Sequence, residues 1–212
     1  MGRAALGTAV WMLALAACAP ALPPPPAPAP PPAEPPPQPA PPAPPPGRES
    51  CQRVVRIEVY KAERRLVARC EGGAVVEMVA AMGRDPDGHK RAVGDLRTPE
   101  GLYRVSGPPL PSRFHAFLPI DYPSVADADR ALADGRISPG DHARIVDAHR
   151  RGVEPPDDTP LGGGIGLHGE GERWAGDSRD LDWTLGCIAV PDDDLDFLLA
   201  RTGTGTPFEI LP

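Results

Sequence analysis

The 212-residue sequence lacks the marks of several large protein classes. It has no basic stripe and no aromatic platform on which bases could stack, which argues against nucleic acid as a partner. Its N-terminal apolar run, residues 4–17, is too short to cross a bilayer as a stable helix. No internal repeat is visible, and the net charge of −7 indicates a soluble, acidic surface.

The lack of aromatic and β-branched residues in one long segment indicates the domain organisation. Residues 20–46 contain no aromatic and no β-branched residue, yet they hold 18 of the 32 prolines. Such a segment buries too little apolar surface to offset the entropy lost on ordering, so it predicts an extended polyproline spacer. The remainder, residues 51–212, has the length of one domain.

A targeting signal precedes the spacer. Arg3 is followed by the apolar run, which ends in Leu15-Ala16-Ala17-Cys18. This resembles the lipobox of bacterial lipoproteins, which implies cleavage before Cys18 and its acylation; an ordinary signal peptide with an incidental cysteine is the alternative. Ala19 resembles the residue found in lipoproteins sent to the outer membrane. We therefore expect a signal peptide (1–17), a lipid-anchored linker (18–50) and a periplasm-facing location in the cell envelope, at the outer membrane.

The domain is predicted to be mainly β. Alternating, β-branched segments form a meander of strands, and further strands follow. A helical insert of two helices is expected at about 124–151, where Ser138-Pro139 supplies an N-cap and a first helical residue. The predicted strands are 54–60, 66–69, 74–80, 102–106, 164–168, 187–190 and 208–211, and a last helix begins at Pro191.

Two short segments carry the chemistry. Gly166-Leu167-His168-Gly169 places a histidine at the end of an apolar strand, and Thr184-Leu185-Gly186-Cys187 places a cysteine directly after a glycine. A thiol needs a nearby base to become a nucleophile, and histidine accepts a proton near neutral pH. We expect the N–H groups of Gly186 and Cys187 to stabilise an oxyanion.

These segments resemble the L,D-transpeptidase catalytic (YkuD-type) family, in which a His-Gly pair precedes Ser/Thr-x-Gly-Cys by 15 to 20 residues. The likeness also includes residues 94–103, with Gly94-Asp95, and covers about residues 54–212. Leu185 and Ala189 depart from the Ser-His-Gly-Cys-x-Arg pattern of many members. The sequence is instead similar to a branch that reads Thr-x-Gly-Cys-Ile-Ala.

The resemblance implies a β-sandwich-like fold and acyl transfer on peptidoglycan stem peptides. Cys187 forms a thioester, His168 acts as base and then acid, the carbonyl of Gly169 orients the imidazole, and Thr184 places its hydroxyl near the substrate. No metal and no organic cofactor are expected, and the chain is expected to be a monomer. The alternatives are a hydrolase of the same fold, acting as a carboxypeptidase or amidase, and an inactive wall-binding tether.

Three further expectations concern the surroundings of this site. The helical insert is the natural candidate for a lid that excludes water. Ala189 is expected to remove a cation that would bind a substrate carboxylate. Asp192–Asp194 is interpreted as a solvated helix start, and Trp183 as a packing residue.

With Cys18 and Cys187 assigned, the remaining cysteines are Cys51 and Cys70, which could pair in an oxidising compartment. If Ala62-Glu63 forms the tip of a hairpin, however, Cys70 faces Val55, and residues 51–53 would have to fold back. The pairing is therefore left open by the sequence.

Overall fold

The computed structural model describes residues 47–171 and 182–212. Within these ranges nine strands form two sheets, and three α-helices join them. The elements are β1 Val54–Tyr60, β2 Arg65–Cys70, β3 Val75–Val79, β4 Gly101–Arg104, β5 Leu110–Pro111, β6 Ala116–Pro119, α1 Val125–Ala133, α2 Pro139–Arg151, β7 Gly166–His168, β8 Ile188–Ala189, α3 Asp192–Leu199 and β9 Pro207–Leu211. In the part of the chain so described, no helix combines the length and the apolarity that crossing a membrane requires.

The first sheet has the strand order β3-β2-β1-β9-β4. Its hairpin β1–β2 has Tyr60 opposite Arg65, so residues 61–64 form the turn, as the sequence predicts. The closing strand β9 pairs in parallel with β1 and antiparallel with β4. The end of the chain thus completes the sheet that the first strands begin.

The second sheet has the order β5-β6-β7-β8 and carries the residues predicted to be catalytic. In it β7 pairs antiparallel with β6 and parallel with β8. Both sheets contribute buried apolar side chains to one cluster, among them Ile57 and Phe208 from the first and Leu118 and Leu167 from the second. The predicted mainly β, sandwich-like fold with helical parts is confirmed.

The helical insert forms a small core of its own. Ala128, Ile145 and Leu161 belong to a second apolar cluster, separate from the cluster between the sheets. Ser124 and Ser138 each close a capping box with the aspartate three residues later, which fixes where both helices begin. The predicted bounds of the insert agree with the structure because these signals are local.

Cys51 and Cys70 are joined by a disulfide, with their Cα atoms 5.3 Å apart. The register expected for Cys70 was wrong: it pairs with Val54, because the β1–β2 register shifts by one residue between Val54 and Arg56. That bulge brings Cys51 within reach.

The residues just before Cys51 contact the domain. Arg48 forms an ion pair with Asp194 and lies over the Phe197 ring, with its guanidinium 4.9 Å from the ring centroid. The sequence places Arg48 in the linker, but in the structure it packs against α3.

Candidate active site

The imidazole of His168 is buried and oriented by its own loop. The His168 side chain is 5% exposed, and its Nδ1 lies 2.7 Å from the carbonyl oxygen of Gly169. Because a carbonyl only accepts, Nδ1 carries the hydrogen and Nε2 is left to accept a proton. His168 pairs in register with Ala189, and Cys187 lies two residues before Ala189, on the same side of the sheet.

The loop before Cys187 is fixed by the hydroxyl of Thr184. This hydroxyl donates to the carbonyl of Cys187 across 2.7 Å and accepts the N–H of Gly186 across 3.1 Å. Thr184 is buried, and its hydroxyl holds the loop. The roles expected for Thr184 and Gly186 towards a substrate stay predictions, with the N–H of Gly186 bonded to that hydroxyl. Among the described residues nothing accepts from the N–H of Cys187, which remains available to an oxyanion.

The backbone conformation at position 186, rather than contact with a substrate, requires a glycine there. Its φ of +133° is a conformation that favours glycine, and a Cβ atom there would lie 2.7 Å from the carbonyl oxygen of Arg97. The segment that contains Arg97 thus packs directly beneath the nucleophile loop. Asp182 fixes the start of this loop, because it accepts from the N–H of Met82 and from the Arg64 guanidinium.

Burial sets the ionisation of both reactive groups. It lowers the pKa of His168 below its usual range, although the bond to Gly169 opposes this shift. It raises the pKa of the Cys187 thiol, against smaller effects of the Gly166 backbone and the Lys90 ammonium. Both shifts favour neutral groups. The thiol is half-buried and donates to the carbonyl of Gly164 across 3.6 Å.

Lys90 belongs to a loop that Asp95 holds together. Lys90 is 3% exposed, and its ammonium donates to Asp95 across 2.8 Å. The same carboxylate accepts from the N–H groups of Arg91, Ala92 and Arg97. The Gly94-Asp95 segment, noted in the sequence only as part of the resemblance, therefore positions the backbone that supports Gly186.

The connection between β5 and β6 supplies residues that the sequence analysis missed. The Phe114 ring stacks on His168, with centroids 5.0 Å apart and an interplanar angle of 27°. The carbonyl of Phe114 accepts the N–H of Gly169 across 3.0 Å. Trp183 contacts both rings edge-on, with centroid distances of 5.2 Å to Phe114 and 5.4 Å to His168, so it packs as expected. It also lines a cavity beside the reactive pair.

A cavity of about 560 Å³ opens beside the thiol and the imidazole. Its lining combines two arginines with apolar rings and the reactive pair: Arg84, Ser112, Arg113, Phe114, Phe117, His168, Trp183, Thr184, Leu185 and Cys187. Its size suits a short peptide segment or a small ligand. Leu185, 64% exposed, makes its rim apolar.

One expectation about this cavity was wrong. None of the described lining residues belongs to α1 or α2, so the helical insert does not cover the site as a lid. Ala189 is not among the described lining residues: it is fully buried, and its backbone exchanges two hydrogen bonds with Ala81. The expected effect of its missing cation on substrate binding stays a prediction.

The acidic start of α3 is not simply solvated. Asp192 accepts the N–H groups of Glu170 and Gly171 across 2.8 and 3.1 Å, and Asp194 pairs with Arg48. Of the three aspartates only Asp193 is exposed. Asp192 therefore holds the loop that follows His168.

The described residues contain no group of three or more His, Cys, Asp or Glu side chains arranged to hold a metal ion. The candidate site consists of a thiol, an imidazole and backbone groups. Such a site can perform nucleophilic acyl transfer with a covalent intermediate.

The comparisons with known proteins agree with this class of site. The profile of the L,D-transpeptidase catalytic domain matches residues 54–210, about three quarters of the chain. The chain therefore belongs to the L,D-transpeptidase catalytic domain family. A search of curated proteins gave no significant match.

Solved structures with similar folds share little sequence with this chain. Pgp2, a helical cell shape determining protein from Campylobacter jejuni, is 20% identical, with a TM-score of 0.50 over 74% of this chain and 46% of its own. Bd1075 from Bdellovibrio bacteriovorus is 23% identical, with a TM-score of 0.44 over 77% and 49%. An Enterococcus faecium L,D-transpeptidase is 16% identical, with a TM-score of 0.41 over 74% and 50%. This chain thus spans about half the length of these proteins.

Proposed function

We propose that this chain is a cysteine-dependent acyltransferase that acts on peptidoglycan stem peptides. One observation carries the proposal: a half-buried thiol and an imidazole with a fixed tautomer line the same cavity in a domain of the L,D-transpeptidase family. An inactive wall-binding tether is disfavoured because it would give no function to the thiol and the imidazole that line this cavity.

The geometry supports a two-step reaction. Nε2 of His168 accepts the thiol proton, and the Cys187 sulfur attacks the carbonyl carbon of an L-residue that precedes a D-residue. The N–H of Cys187 faces the oxyanion that forms. The C–N bond then breaks, His168 returns the proton to the leaving amine, and the acyl group stays on sulfur as a thioester.

In the second step an amine of another stem peptide, or of a protein, attacks the thioester. His168 takes the proton of the amine, the C–S bond breaks as the new amide bond forms, and the imidazolium returns the proton to the Cys187 sulfur. This is transpeptidation, which crosslinks the wall or attaches a protein to it.

Hydrolysis is the second candidate, and one observation favours it. The helices that were expected to exclude water do not line the cavity, so the structure offers no cover from the insert that would protect the thioester. Water then replaces the amine as acceptor, and the product is a shortened peptide. Either reaction would change the wall, and we propose a role in cell shape, the role that the name of Pgp2 gives to that protein.

The test supplies the purified full chain with a tetrapeptide muropeptide, with and without an excess of an amine acceptor. Product masses that show a crosslinked or exchanged peptide whenever acceptor is present support transpeptidation. Shortened, water-terminated peptide at every acceptor concentration assigns the chain to the hydrolases.

Cys187→Ala should lose all turnover, and the turnover rate of His168→Ala should fall by about a hundredfold or more. Absence of turnover and of any acyl adduct on wild-type Cys187 would reject the enzyme proposal.

The placement of the chain in the cell is proposed on the sequence alone. We propose a monomeric lipoprotein whose Cys18 carries the lipid, facing the periplasm from the outer membrane. Residue 18 and most of the linker lie outside the described residues.

A further inference from the structure

The described lining of the catalytic cavity is cationic although the whole chain is acidic. Among the residues that the structure describes, the lining contains Arg84 and Arg113 and no carboxylate, whereas the chain carries a net charge of −7. Within residues 47–171 and 182–212, neither arginine forms an ion pair. Most other arginines described are paired with an aspartate or glutamate, as Arg97 is with Asp85. Two unpaired guanidinium groups at one cavity point to an anionic ligand.

Arg84 is attached to the side of the cavity that carries the nucleophile. Its backbone N–H donates to the carbonyl of Thr184 across 3.1 Å. Its Nε donates to the carbonyl of Trp183 across 3.3 Å. The guanidinium of Arg84 is thus held on the loop that ends in Cys187, and its remaining N–H groups are available to a ligand.

Arg113 is attached to the side that carries the base. Its guanidinium carbon lies 4.7 Å from the centroid of Phe114, on whose ring it stacks. Phe114 in turn stacks on His168. Stacking orients the planar guanidinium while its edge stays available for a carboxylate.

No other described cation takes this role at the cavity. Lys90 is buried and already paired with Asp95. Position 189, two residues after the nucleophile, holds a fully buried alanine. Of the residues with a described structure, Arg84 and Arg113 are therefore the groups at the cavity that suit a carboxylate.

We propose that these two arginines recognise a peptide with carboxylates on both sides of the bond that Cys187 attacks. The inference rests on the proposed function. His168 protonates the leaving amine, so the leaving residue lies against the His168–Phe114 stack, and its terminal carboxylate meets Arg113. The acyl part stays bonded to Cys187, and a carboxylate on its side chain meets Arg84.

The test pairs two substrates with matched variants of the full chain. The substrates are a stem tetrapeptide with a free C-terminal carboxylate and the same peptide as its C-terminal amide. The variants are Arg113→Gln, Arg84→Gln and, as a control, Arg150→Gln, which removes an exposed arginine of α2 that does not line the cavity. Melting temperature and alkylation of Cys187 show that each variant is folded.

Wild type and Arg150→Gln should prefer the free acid by about tenfold in kcat/KM. Arg113→Gln should lose that preference, because its rate on the acid falls to the rate on the amide. Arg84→Gln should lower kcat/KM about tenfold on both peptides and keep the preference. A preference that survives in Arg113→Gln, or one that disappears in Arg84→Gln, overturns the assignment.

Binding separates this inference from the proposed reaction. Calorimetry with Cys187→Ala and with Cys187→Ala/Arg113→Gln measures both peptides without turnover. If wild type turns over neither peptide, the proposed function fails, yet weaker binding of the free acid on loss of Arg113 would still support carboxylate recognition. Equal binding of acid and amide to Cys187→Ala overturns it.

Discussion

At the scale of residues, the reactive pair rests as two neutral groups. Burial lowers the pKa of His168 and raises that of Cys187, so the thiol is protonated and the imidazole is ready to accept its proton at neutral pH. This differs from a site with a standing thiolate–imidazolium pair, in which the pKa of the thiol is strongly depressed. We therefore expect the thiolate to form during attack on the substrate.

The pH dependence of alkylation tests this arrangement. The rate at which iodoacetamide modifies Cys187 follows the thiolate fraction, so it should be low at pH 7 and rise with a midpoint above that of a cysteine in a short unstructured peptide. The measurement is the second-order rate by mass spectrometry across pH, with Cys187→Ala as the blank. A midpoint below that of the peptide would indicate a standing ion pair instead.

Asp95 gives a second prediction at this scale. Burial raises its pKa, but the Lys90 ammonium and three backbone N–H groups outweigh burial and hold it at about 2. Because the folded pKa lies below the usual carboxyl value, its stabilising effect is complete above about pH 4 and is lost as the pH falls towards 2. Asp95→Asn also leaves the Lys90 charge buried without its partner.

We expect Asp95→Asn to lower the free energy of unfolding by about 3 kcal/mol at pH 7, measured by urea denaturation. The matched control is Asp134→Asn, which breaks surface ion pairs with Arg91 and Arg136 and should cost under about 1 kcal/mol. The difference between Asp95→Asn and wild type should shrink as the pH approaches 2. A difference that is the same at pH 7 and pH 2.5 would contradict the role given to this carboxylate.

At the scale of elements, local signals predicted the helices and longer strands, and non-local pairing decided the rest. Ser124 and Ser138 cap their helices within four residues of sequence, so α1 and α2 could be predicted closely. The strands β5 and β6 were missed because they are short and contain prolines. They are strands only because β6 pairs with β7, about 50 residues later in the chain.

The same distinction applies to the site. Cys187 and His168 could be proposed from short motifs, but Phe114 and Arg113 reach the cavity only through the β6–β7 pairing. The one available signal was the sequence Ser112-Arg113-Phe114-His115, an aromatic and cationic cluster that follows a proline. The lid role of 124–151 was wrong because sequence order does not say which face of the domain an insert covers.

Helix α3 contributes to the site through its first turn, which gives a prediction with a close control. Asp192→Ala removes the acceptor for the N–H groups of Glu170 and Gly171 and should loosen the loop after His168. We expect a loss of about 1 to 2 kcal/mol in stability and a lower kcat, with little change in KM. Asp193→Ala, at the exposed neighbouring position, should change neither quantity. Equal effects of both variants would assign the loss to the helix start rather than to the loop.

At the scale of the whole molecule, the sequence joins a catalytic domain to a predicted anchor and spacer. A polyproline segment rises about 3.1 Å per residue, so the predicted linker of residues 18–50 would reach about 100 Å. That reach suits a lipid-anchored enzyme that works on the wall and a tether between envelope layers equally. The described lining of the cavity, by contrast, consists of residues of the domain between Arg84 and Cys187. Anchoring and catalysis should therefore be separable.

The final prediction tests that separation through Cys18. If Cys18 is acylated as we propose, the wild-type chain made in a two-membrane bacterium should incorporate labelled fatty acid. It should also fractionate with the outer membrane, since several acyl chains anchor a protein stably where a single chain does not. Cys18→Ser should carry no label and accumulate as unprocessed precursor.

After extraction in detergent, this variant should still be alkylated at Cys187 at the wild-type rate, because the catalytic cavity lies far along the chain from residue 18. Release of a mature, soluble chain from Cys18→Ser in normal amounts would identify an ordinary signal peptide and refute the anchor, while the alkylation rate would report on the catalytic domain independently.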